Sequence, residues 1–351
     1  MATLADVARA VGIAPSTASR ALNRPELVRP EVVERVHAAA ERLGYAPNPF
    51  ARSLRWRDSR TLGLIVPDNT NPFFAEVARG IEEACFRAAY TLMLCNSDQS
   101  LEKEAAQARA LYGKRVDGVL MFNASDASAA TIKWLIERDV PVVLVERRLA
   151  VRGADCVISD NRNGVREAMI HLKDSGHRRI ACLLRDPGVS HYRERLEAYI
   201  AAGRELQLED LRDLVRTGLS TYADGQWAAT ELLTGDNPPS ALLCLSDTLA
   251  LGALRGATLA RRRVPQDVAV VGFGNTEMSA YTQPPLTSVG QERLAVGSAA
   301  VRLLLERIKK PFSASRTPRS RIRIVPTRLV VRESSAMHSE TAAVALTRVE
   351  S

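Results

Sequence analysis

Hydroxyl and guanidinium side chains are concentrated in one short segment near the N-terminus. Ser16, Thr17, Ser19 and Arg20 follow directly on Pro15 within a run of small residues. A hydroxyl group can bond phosphate oxygens or base edges, and a guanidinium can donate two hydrogen bonds to guanine. These residue types at this spacing indicate contact with nucleic acid, with a solvated helix of a small helical domain as the plain alternative.

Three short helices must position these side chains. The first is predicted where apolar residues recur at spacings of three and four before Gly12, namely at Leu4, Val7, Ala8 and Val11. Proline suits the first helical turn, so we predict a second helix from Pro15 or Ser16 and a third over roughly 30–43. Two short helices joined by so tight a turn are typical of a helix-turn-helix, whose second helix enters the major groove.

The charge of this segment favours DNA as its partner. Residues 1–57 contain nine arginines, no lysine and five acidic residues, a net charge of +4 within a chain of net charge +8. Such a charge attracts the phosphate backbone. Arg29 occupies the capping position before the third helix, where Ser or Thr would be expected, so it is predicted to reach a phosphate instead. The predicted DNA contacts of the three helices are Thr3, Pro15, Ser16, Thr17, Ser19, Arg20, Asn23 and Arg29.

From Thr61 onward, short β-rich apolar runs alternate with helical stretches, and the alternation resumes from about residue 161. This order predicts α/β domains built on doubly wound parallel sheets. Such sheets bind ligands beyond the carboxyl ends of their strands.

Several functional classes are disfavoured by what the sequence contains. The five cysteines and five histidines are dispersed, and no spacing typical of a metal site, a Gly-rich phosphate loop or a nucleophile elbow is found among the 351 residues. We therefore expect no enzyme activity, no cofactor and no metal, and reduced cysteines. No apolar run reaches membrane-spanning length, and Asp6 and Arg9 interrupt any signal-peptide core, so a cytoplasmic location without membrane contact is expected.

The sequence resembles the LacI/GalR family of bacterial transcription regulators, and within it the gluconate-repressor type, from residue 2 to about 335. The resemblance is carried, in order, by DVARAVGIAPSTASRALN, AAAERLGYAPNPFARSL, GLIVPDNTNPFFAEVARGIE, RVDGVLMF, SGHRRIA, SDTLALGAL and VPQDVAVVGF followed by PPLTSV. It implies a periplasmic-binding-protein-like core of two α/β lobes, joined by strands that cross near residues 160, 290 and 320. The expected division is a helix-turn-helix domain at 1–46, a hinge helix at 47–58, an N-terminal lobe at 59–160 and 291–319, a C-terminal lobe at 161–290 and 320–335, and a flexible tail at 336–351.

The resemblance also implies how the hinge acts. In the family this segment folds on the operator and wedges a leucine into the minor groove, and Leu54 matches that position, with Asn48 and Arg52 as further expected DNA contacts. A linker whose Leu54 packs on the core domain is the alternative.

The cleft between the two lobes is the expected effector site. Polar and aromatic residues follow the predicted strands of both lobes, and the candidates are Phe73, Phe74, Asn123, Glu146, Arg147, His191, Arg195, Asp247 and Asn275. Phe74, Glu146, Arg195 and Asp247 match positions where the family commonly contacts ligand or shapes the pocket.

One departure from the family guides the choice of ligand. Many sugar-binding members carry an aspartate in the turn after the last strand of this lobe, but this chain has GFGN at residues 272–275. Without that carboxylate, Arg195 with Arg147 or Arg185 could pair with a ligand carboxylate. A sugar acid such as gluconate or a ketogluconate is therefore expected, and a neutral sugar or polyol is the alternative. A solute-binding protein would have no use for residues 1–57.

Two copies are expected to act together. One helix-turn-helix makes few contacts, and a palindromic operator matches a two-fold homodimer. The helical stretch FFAEVARGIEEACFRAA is a candidate for the dimer face. Residues 336–351 lack the sustained leucine heptad of a tetramerising coiled coil, so a dimer is predicted, with an exposed loop at 311–321.

Overall fold

The computed structural model describes residues 2–45, 59–123, 125–208, 211–309 and 319–336. The chain divides into two compact units, Met1–Ser59 and Arg60–Ser351. The hinge positions Asn48, Arg52 and Leu54, most of the expected loop at 311–321 and nearly all of the expected tail lie outside the described residues.

The first unit contains the three predicted helices, α1 (Leu4–Val11), α2 (Pro15–Asn23) and α3 (Pro30–Arg42), with a short 3₁₀ turn at Pro25–Leu27. Helix α1 begins at a capping box, because the Thr3 hydroxyl accepts from the Asp6 amide while the Asp6 carboxylate accepts from the Thr3 amide. It ends at Gly12, whose φ of 73° is a left-handed conformation that glycine adopts without strain. The fully buried Val7, Ala18 and Val36 bring the three helices together.

The described residues of the second unit form two six-stranded sheets with helices on both faces. The first sheet is parallel throughout and comprises β1 (Thr61–Val66), β2 (Thr91–Asn96), β3 (Gly118–Met121), β4 (Val142–Val145), β5 (Asp155–Ser159) and β11 (Ile322–Val325). Its spatial order is β11-β5-β4-β3-β1-β2. The helices of this lobe are α4 (Pro72–Arg87), α5 (Leu101–Gly113), α6 (Ala129–Ile136) and α11 (Arg293–Ile308).

The second sheet comprises β6 (Ile180–Leu183), β7 (Val215–Arg216), β8 (Ala241–Cys244), β9 (Ala269–Gly274), β10 (Thr287–Gln291) and β12 (Thr327–Val330). Its order is β12-β10-β9-β8-β6-β7; β12 runs antiparallel to β10, whereas the other described pairs of this sheet are parallel. The helices of this lobe are α7 (Asn161–Asp174), α8 (Ser190–Glu205), α9 (Tyr222–Thr234) and α10 (Asp247–Leu259). The predicted doubly wound parallel architecture is confirmed.

The third crossing between the lobes lies later in the chain than predicted. Ile322–Val325 pairs in parallel with β5 of the first sheet, whereas Thr327–Val330 pairs with β10 of the second. The chain therefore changes sheets at residue 326, not near 320, because the apolar run RIRIV still belongs to the first lobe. The first two crossings follow β5 and β10, near residues 160 and 291.

A buried ion cluster fixes this crossing region. Asp155, with no exposed surface, accepts from Arg307 of α11 at 2.5 Å and from Arg321 at 2.8 Å. Burial raises the pKa of Asp155, but the hydrogen bonds from both arginines outweigh burial, and the pKa lies below its ordinary value. One carboxylate thus joins β5, α11 and the segment that enters β11.

Helices α4 and α11 approach closely through glycines. A methyl group at Gly80 would lie 2.7 Å from the Leu294 Cα atom, and one at Gly297 would lie 2.6 Å from the Val77 carbonyl oxygen. Only glycine allows backbones to come so near, so the two helices form one rigid wall of the first lobe.

Candidate functional site

A cavity of about 90 Å³ lies between the two lobes, beyond the carboxyl ends of the strands of both sheets. The first lobe contributes Asn71, Phe73, Phe74, Glu146 and Arg147 to its lining, and the end of β10, where the chain crosses between the lobes, contributes Gln291. The second lobe contributes Arg185, His191, Tyr192, Arg195, Leu219, Ser220, Ser246, Asp247, Thr248, Phe273, Gly274 and Thr276. The place of the cavity follows from parallel strands whose carboxyl ends face one another.

Arg195 is a buried cation in the wall of this cavity. Its Nε atom donates to Asn161 Oδ1 and its Nη1 atom to the Leu245 carbonyl, both at 2.8 Å. The guanidinium carbon lies 3.6 Å from the centre of the Phe273 ring. None of these partners is a carboxylate, and burial lowers the pKa of Arg195. The charge of Arg195 is therefore only partly compensated by the protein.

Glu146, by contrast, is occupied by protein donors. One of its oxygens accepts from the Ser159 amide at 3.0 Å and from the Ser159 hydroxyl at 2.6 Å, while the other accepts from Gln291 Nε2 at 3.1 Å. Burial raises the pKa of Glu146. Because Ser159 ends β5 and Gln291 ends β10, Glu146 holds two crossing strands together at the floor of the cavity.

Asp247 accepts hydrogen bonds on both of its carboxylate oxygens. Its Oδ2 atom accepts from the Thr276 amide at 2.6 Å, the Thr276 hydroxyl at 3.0 Å and the Ser279 hydroxyl at 2.9 Å. Its Oδ1 atom accepts from the Ser288 hydroxyl at 2.6 Å. Asp247 therefore anchors the turn after β9 and has little capacity left for a further donor.

Arg147 of the first lobe and His191 of the second lobe add a positive and a neutral nitrogen group to the cavity lining. Arg147 donates to the Asn123 carbonyl at 2.5 Å, and burial lowers its pKa to about 10. Burial lowers the pKa of His191 well below its ordinary value, and Arg195, Arg147 and Arg185 lower it further. The His191 Nδ1 atom is buried and has no hydrogen-bond partner among the described residues.

Aromatic rings cover the first-lobe side. Asn71 caps α4, since its side chain accepts from the Phe73 amide at 3.0 Å, and this cap orients the two phenylalanines that follow. Phe74 packs edge-to-face on Phe73 and on the buried Phe122, with ring centres 5.4 Å and 5.1 Å apart. The rings of Phe73 and Phe74 are thus held in fixed positions at the start of α4.

Seven of the nine predicted effector residues lie at this cavity, namely Phe73, Phe74, Glu146, Arg147, His191, Arg195 and Asp247. Asn123 and Asn275 do not. Asn123 is buried behind Arg147, and Asn275 turns its side-chain oxygen to Arg332 at 2.8 Å. The structure does not bring these two residues to the cavity, because the end of a strand does not fix where the next side chain points.

Sequence reasoning missed several lining residues. Tyr192 lies one position after His191, and Gln291 ends a crossing strand. Thr276 follows the turn that Asp247 anchors. The spacing of His191 and Arg195 on one helix could have signalled Tyr192, whereas nothing local marks Gln291.

In the first unit, the polar face of α2 is largely exposed to solvent. Ser16, Arg20 and Asn23 are exposed, as are Pro15 and Arg29, while Thr17 and Ser19 are half-buried. Arg29 makes no side-chain capping bond at the start of α3. Thr3, another predicted DNA contact, serves as the cap of α1 and is also exposed. The face therefore presents hydroxyl, amide and guanidinium groups around the start of α2.

The described ranges contain no group of three or more His, Cys, Asp or Glu side chains suited to holding a metal ion. Within the same ranges, no helix combines the length and apolar character needed to cross a bilayer.

Comparison with known proteins finds a family match in each of the two units. Residues 3–48 match the family described as bacterial regulatory proteins, lacI family, and residues 169–335 match the periplasmic binding protein-like domain. The transcriptional repressor PurR of Vibrio cholerae serotype O1 (strain M66-2) is 36% identical over 310 residues, covering 88% of this chain and 92% of that protein.

Solved structures give the same result. The complex of the transcriptional regulator CelR with cellobiose is 32% identical, with a TM-score of 0.71, and the match covers 95% of this chain and 100% of that one. The Lac repressor dimer bound to operator and the anti-inducer ONPF is 24% identical, with a TM-score of 0.82 over 96% of this chain and 99% of that one, and supports the fold. The chain therefore belongs to the LacI family of DNA-binding bacterial transcription regulators.

Proposed function

We propose that this protein is a homodimeric repressor whose affinity for a palindromic operator is controlled by a small sugar acid, such as gluconate or a ketogluconate, bound in the cavity between the lobes. The observation that carries the proposal is the charge balance of the cavity. Arg147, Arg185 and Arg195 line it, while its two carboxylates, Glu146 and Asp247, are occupied by protein hydrogen bonds.

Arg195 is the residue we propose to bind the ligand's carboxylate. Two of its nitrogens are held by Asn161 and Leu245, and its Nη2 atom makes no hydrogen bond with the described residues. A buried guanidinium gains from an anion when no carboxylate is hydrogen-bonded to it, and Arg195 has only the nearby, protein-bonded carboxylates of Glu146, Glu194 and Asp247 around it. The rigid rings of Phe73 and Phe74 supply apolar surface for the carbon skeleton.

A neutral sugar is the second candidate. The related CelR structure is a complex with cellobiose, an uncharged sugar. None of the relatives named above is a gluconate regulator by name, so the preference for a sugar acid rests on the charges of this cavity alone.

Calorimetry tests the class of effector. Purified protein would be titrated with gluconate and 2-ketogluconate, and with glucose and sorbitol as the neutral counterparts of similar size. We expect heat of binding with a sugar acid and its loss in Arg195→Met, while Arg193→Met, an exposed arginine on the same helix, keeps it. Binding of glucose or sorbitol with no response to either acid would replace this proposal by the second candidate.

For the DNA side, we propose that Thr3, Pro15, Ser16, Thr17, Ser19, Arg20, Asn23 and Arg29 contact the operator, together with the hinge positions Asn48, Arg52 and Leu54. The exposure of the polar face of α2 supports this assignment.

We further propose that α4 and the edge strand β2 form part of the dimer face. Phe86 is 78% exposed and Leu94 is 48% exposed, unusual values for such large apolar side chains. Closure of the lobes around a ligand would move this face and so change how two DNA-binding units meet. A coupling of about 1–3 kcal/mol is typical for such a transition.

A further inference from the structure

The charged and titratable groups around His191 come from both lobes. Arg147 and Glu146 follow β4, Arg185 follows β6, Tyr192, Glu194 and Arg195 share α8 with His191, and Asp247 begins α10. The two carboxylates that line the cavity are engaged elsewhere, and Glu194 accepts from Asn161 at 3.2 Å. His191 therefore faces three guanidinium groups, and no carboxylate of the described residues is hydrogen-bonded to it.

The His191 ring is held in this position by its place in the fold. It lies in the first turn of α8, and its ring centre is 4.1 Å from that of Tyr192. The Nδ1 atom is buried and lacks a partner among the described residues. A buried polar atom of this kind is usually satisfied when the site is complete, because leaving it unpaired costs free energy.

We infer that the cavity takes up an anionic ligand together with one proton, and that His191 carries this proton. The inference rests on the proposed function, since it assigns the proton to the effector cavity. A carboxylate placed among the three arginines offsets part of the positive field that, together with burial, keeps the imidazole neutral. The protonated ring can then donate from Nδ1, and no group of the protein has to give up its own hydrogen bond.

The consequence is a pH-dependent affinity with a definite sign. In the free protein, burial and three nearby arginines lower the pKa of His191. If the ligand restores that pKa, affinity rises as pH falls, by up to about tenfold per pH unit between the free and bound pKa values. A neutral ligand does not cancel the field and should show no such dependence.

Histidine NMR tests the inference with defined probes, inorganic sulfate and gluconate. Protein labelled in its histidine rings would be titrated between pH 5 and 8 at constant ionic strength, with the His191 signal assigned by its loss in His191→Gln. His171 and His177 are internal controls, because they bond Ser335 at 2.8 Å and Ser240 at 3.0 Å and do not line this cavity. We expect the midpoint of His191 alone to rise when either anion is added.

Calorimetry in buffers of different ionisation enthalpy gives a second readout. Uptake approaching one proton per chain is expected for the wild type with gluconate, and none for His191→Gln. Unchanged His191 titration in the presence of a bound anion overturns the inference, and so does a failure of both anions to bind. Gluconate that alters operator binding without proton uptake would leave the proposed function standing and overturn the inference alone.

Discussion

Arg293 and Glu76 form a 2.6 Å ion pair that joins the start of α11 to α4. The same guanidinium donates to the carbonyls of Gly274 and Asn275, the second at 2.9 Å, in the turn after β9. Helix α4 carries Phe73 and Phe74 into the cavity, and the turn carries Thr276. Arg293 therefore connects the first-lobe wall of the cavity to the second-lobe wall through these bonds.

Removal of the Arg293 side chain should weaken the connection between the two walls of the cavity. We expect Arg293→Ala to lower the free energy of unfolding by roughly 1.5–3 kcal/mol, the range for hydrogen bonds to a charged group, and to reduce the effect of ligand on operator affinity. Arg302→Ala, at an exposed arginine of the same helix, should change stability by less than about 0.5 kcal/mol. Urea unfolding and operator titration of both variants measure the difference. Equal effects would show that Arg293 is no more than a surface charge.

The Asp155 cluster predicts a second stability effect. Asp155→Asn leaves Arg307 without its carboxylate in a buried position, so we expect a loss of roughly 3–5 kcal/mol in the free energy of unfolding. Glu306→Gln is the matched control, because Glu306 pairs with the exposed side of Arg321 and should contribute less than about 1 kcal/mol. A mild Asp155→Asn variant would contradict the view that this carboxylate fixes the third crossing.

The same carboxylate predicts part of the acid sensitivity. The pKa of Asp155 in the folded chain lies below its ordinary value of 3.8, so its stabilisation is complete at higher pH and declines as pH falls through the folded pKa. Chemical unfolding at pH values from 6 down to 3 should therefore show a steeper loss of stability in the wild type than in Asp155→Asn. Parallel pH profiles would mean that the ion cluster is not responsible.

The exposed face of α2 predicts a DNA-binding effect. Arg20→Ala should weaken operator binding by roughly tenfold to 100-fold, because a bidentate contact with a base contributes about 1–3 kcal/mol. Arg9→Ala, which removes the same charge from α1, should weaken binding to operator and scrambled duplex alike. Anisotropy titrations with both duplexes distinguish a specific from a general electrostatic loss. A loss of the same size on both duplexes for Arg20→Ala would argue against base contact.

The local elements of this fold could be predicted from the sequence because their signals are local. The spacing of Val7, Ala8 and Val11 marks α1, and Pro15 marks the start of α2, as the structure confirms. Residues at strand ends such as Glu146 and Arg147 could also be predicted to lie at the cleft, because parallel strands share a carboxyl edge.

The features that could not be predicted from the sequence depend on contacts between residues far apart in the chain. Asp155 meets Arg307 across a separation of 152 residues, and Gln291 meets Glu146 across 145. The periodicity of apolar residues along the sequence does not indicate such pairs. Asn275 does not line the cavity, because its φ of 47° and its bond to Arg332 turn it away.

An anisotropy titration of the protein on a fluorescent palindromic fragment from its own upstream region, repeated with gluconate, 2-ketogluconate and neutral sugars, tests the proposed regulation by an anionic effector. We predict sequence-specific binding whose affinity changes in the presence of one sugar acid, with that change lost in Arg195→Met. Specific binding that no compound alters, or that only a neutral sugar alters, would contradict the proposed anionic effector of this LacI-family regulator.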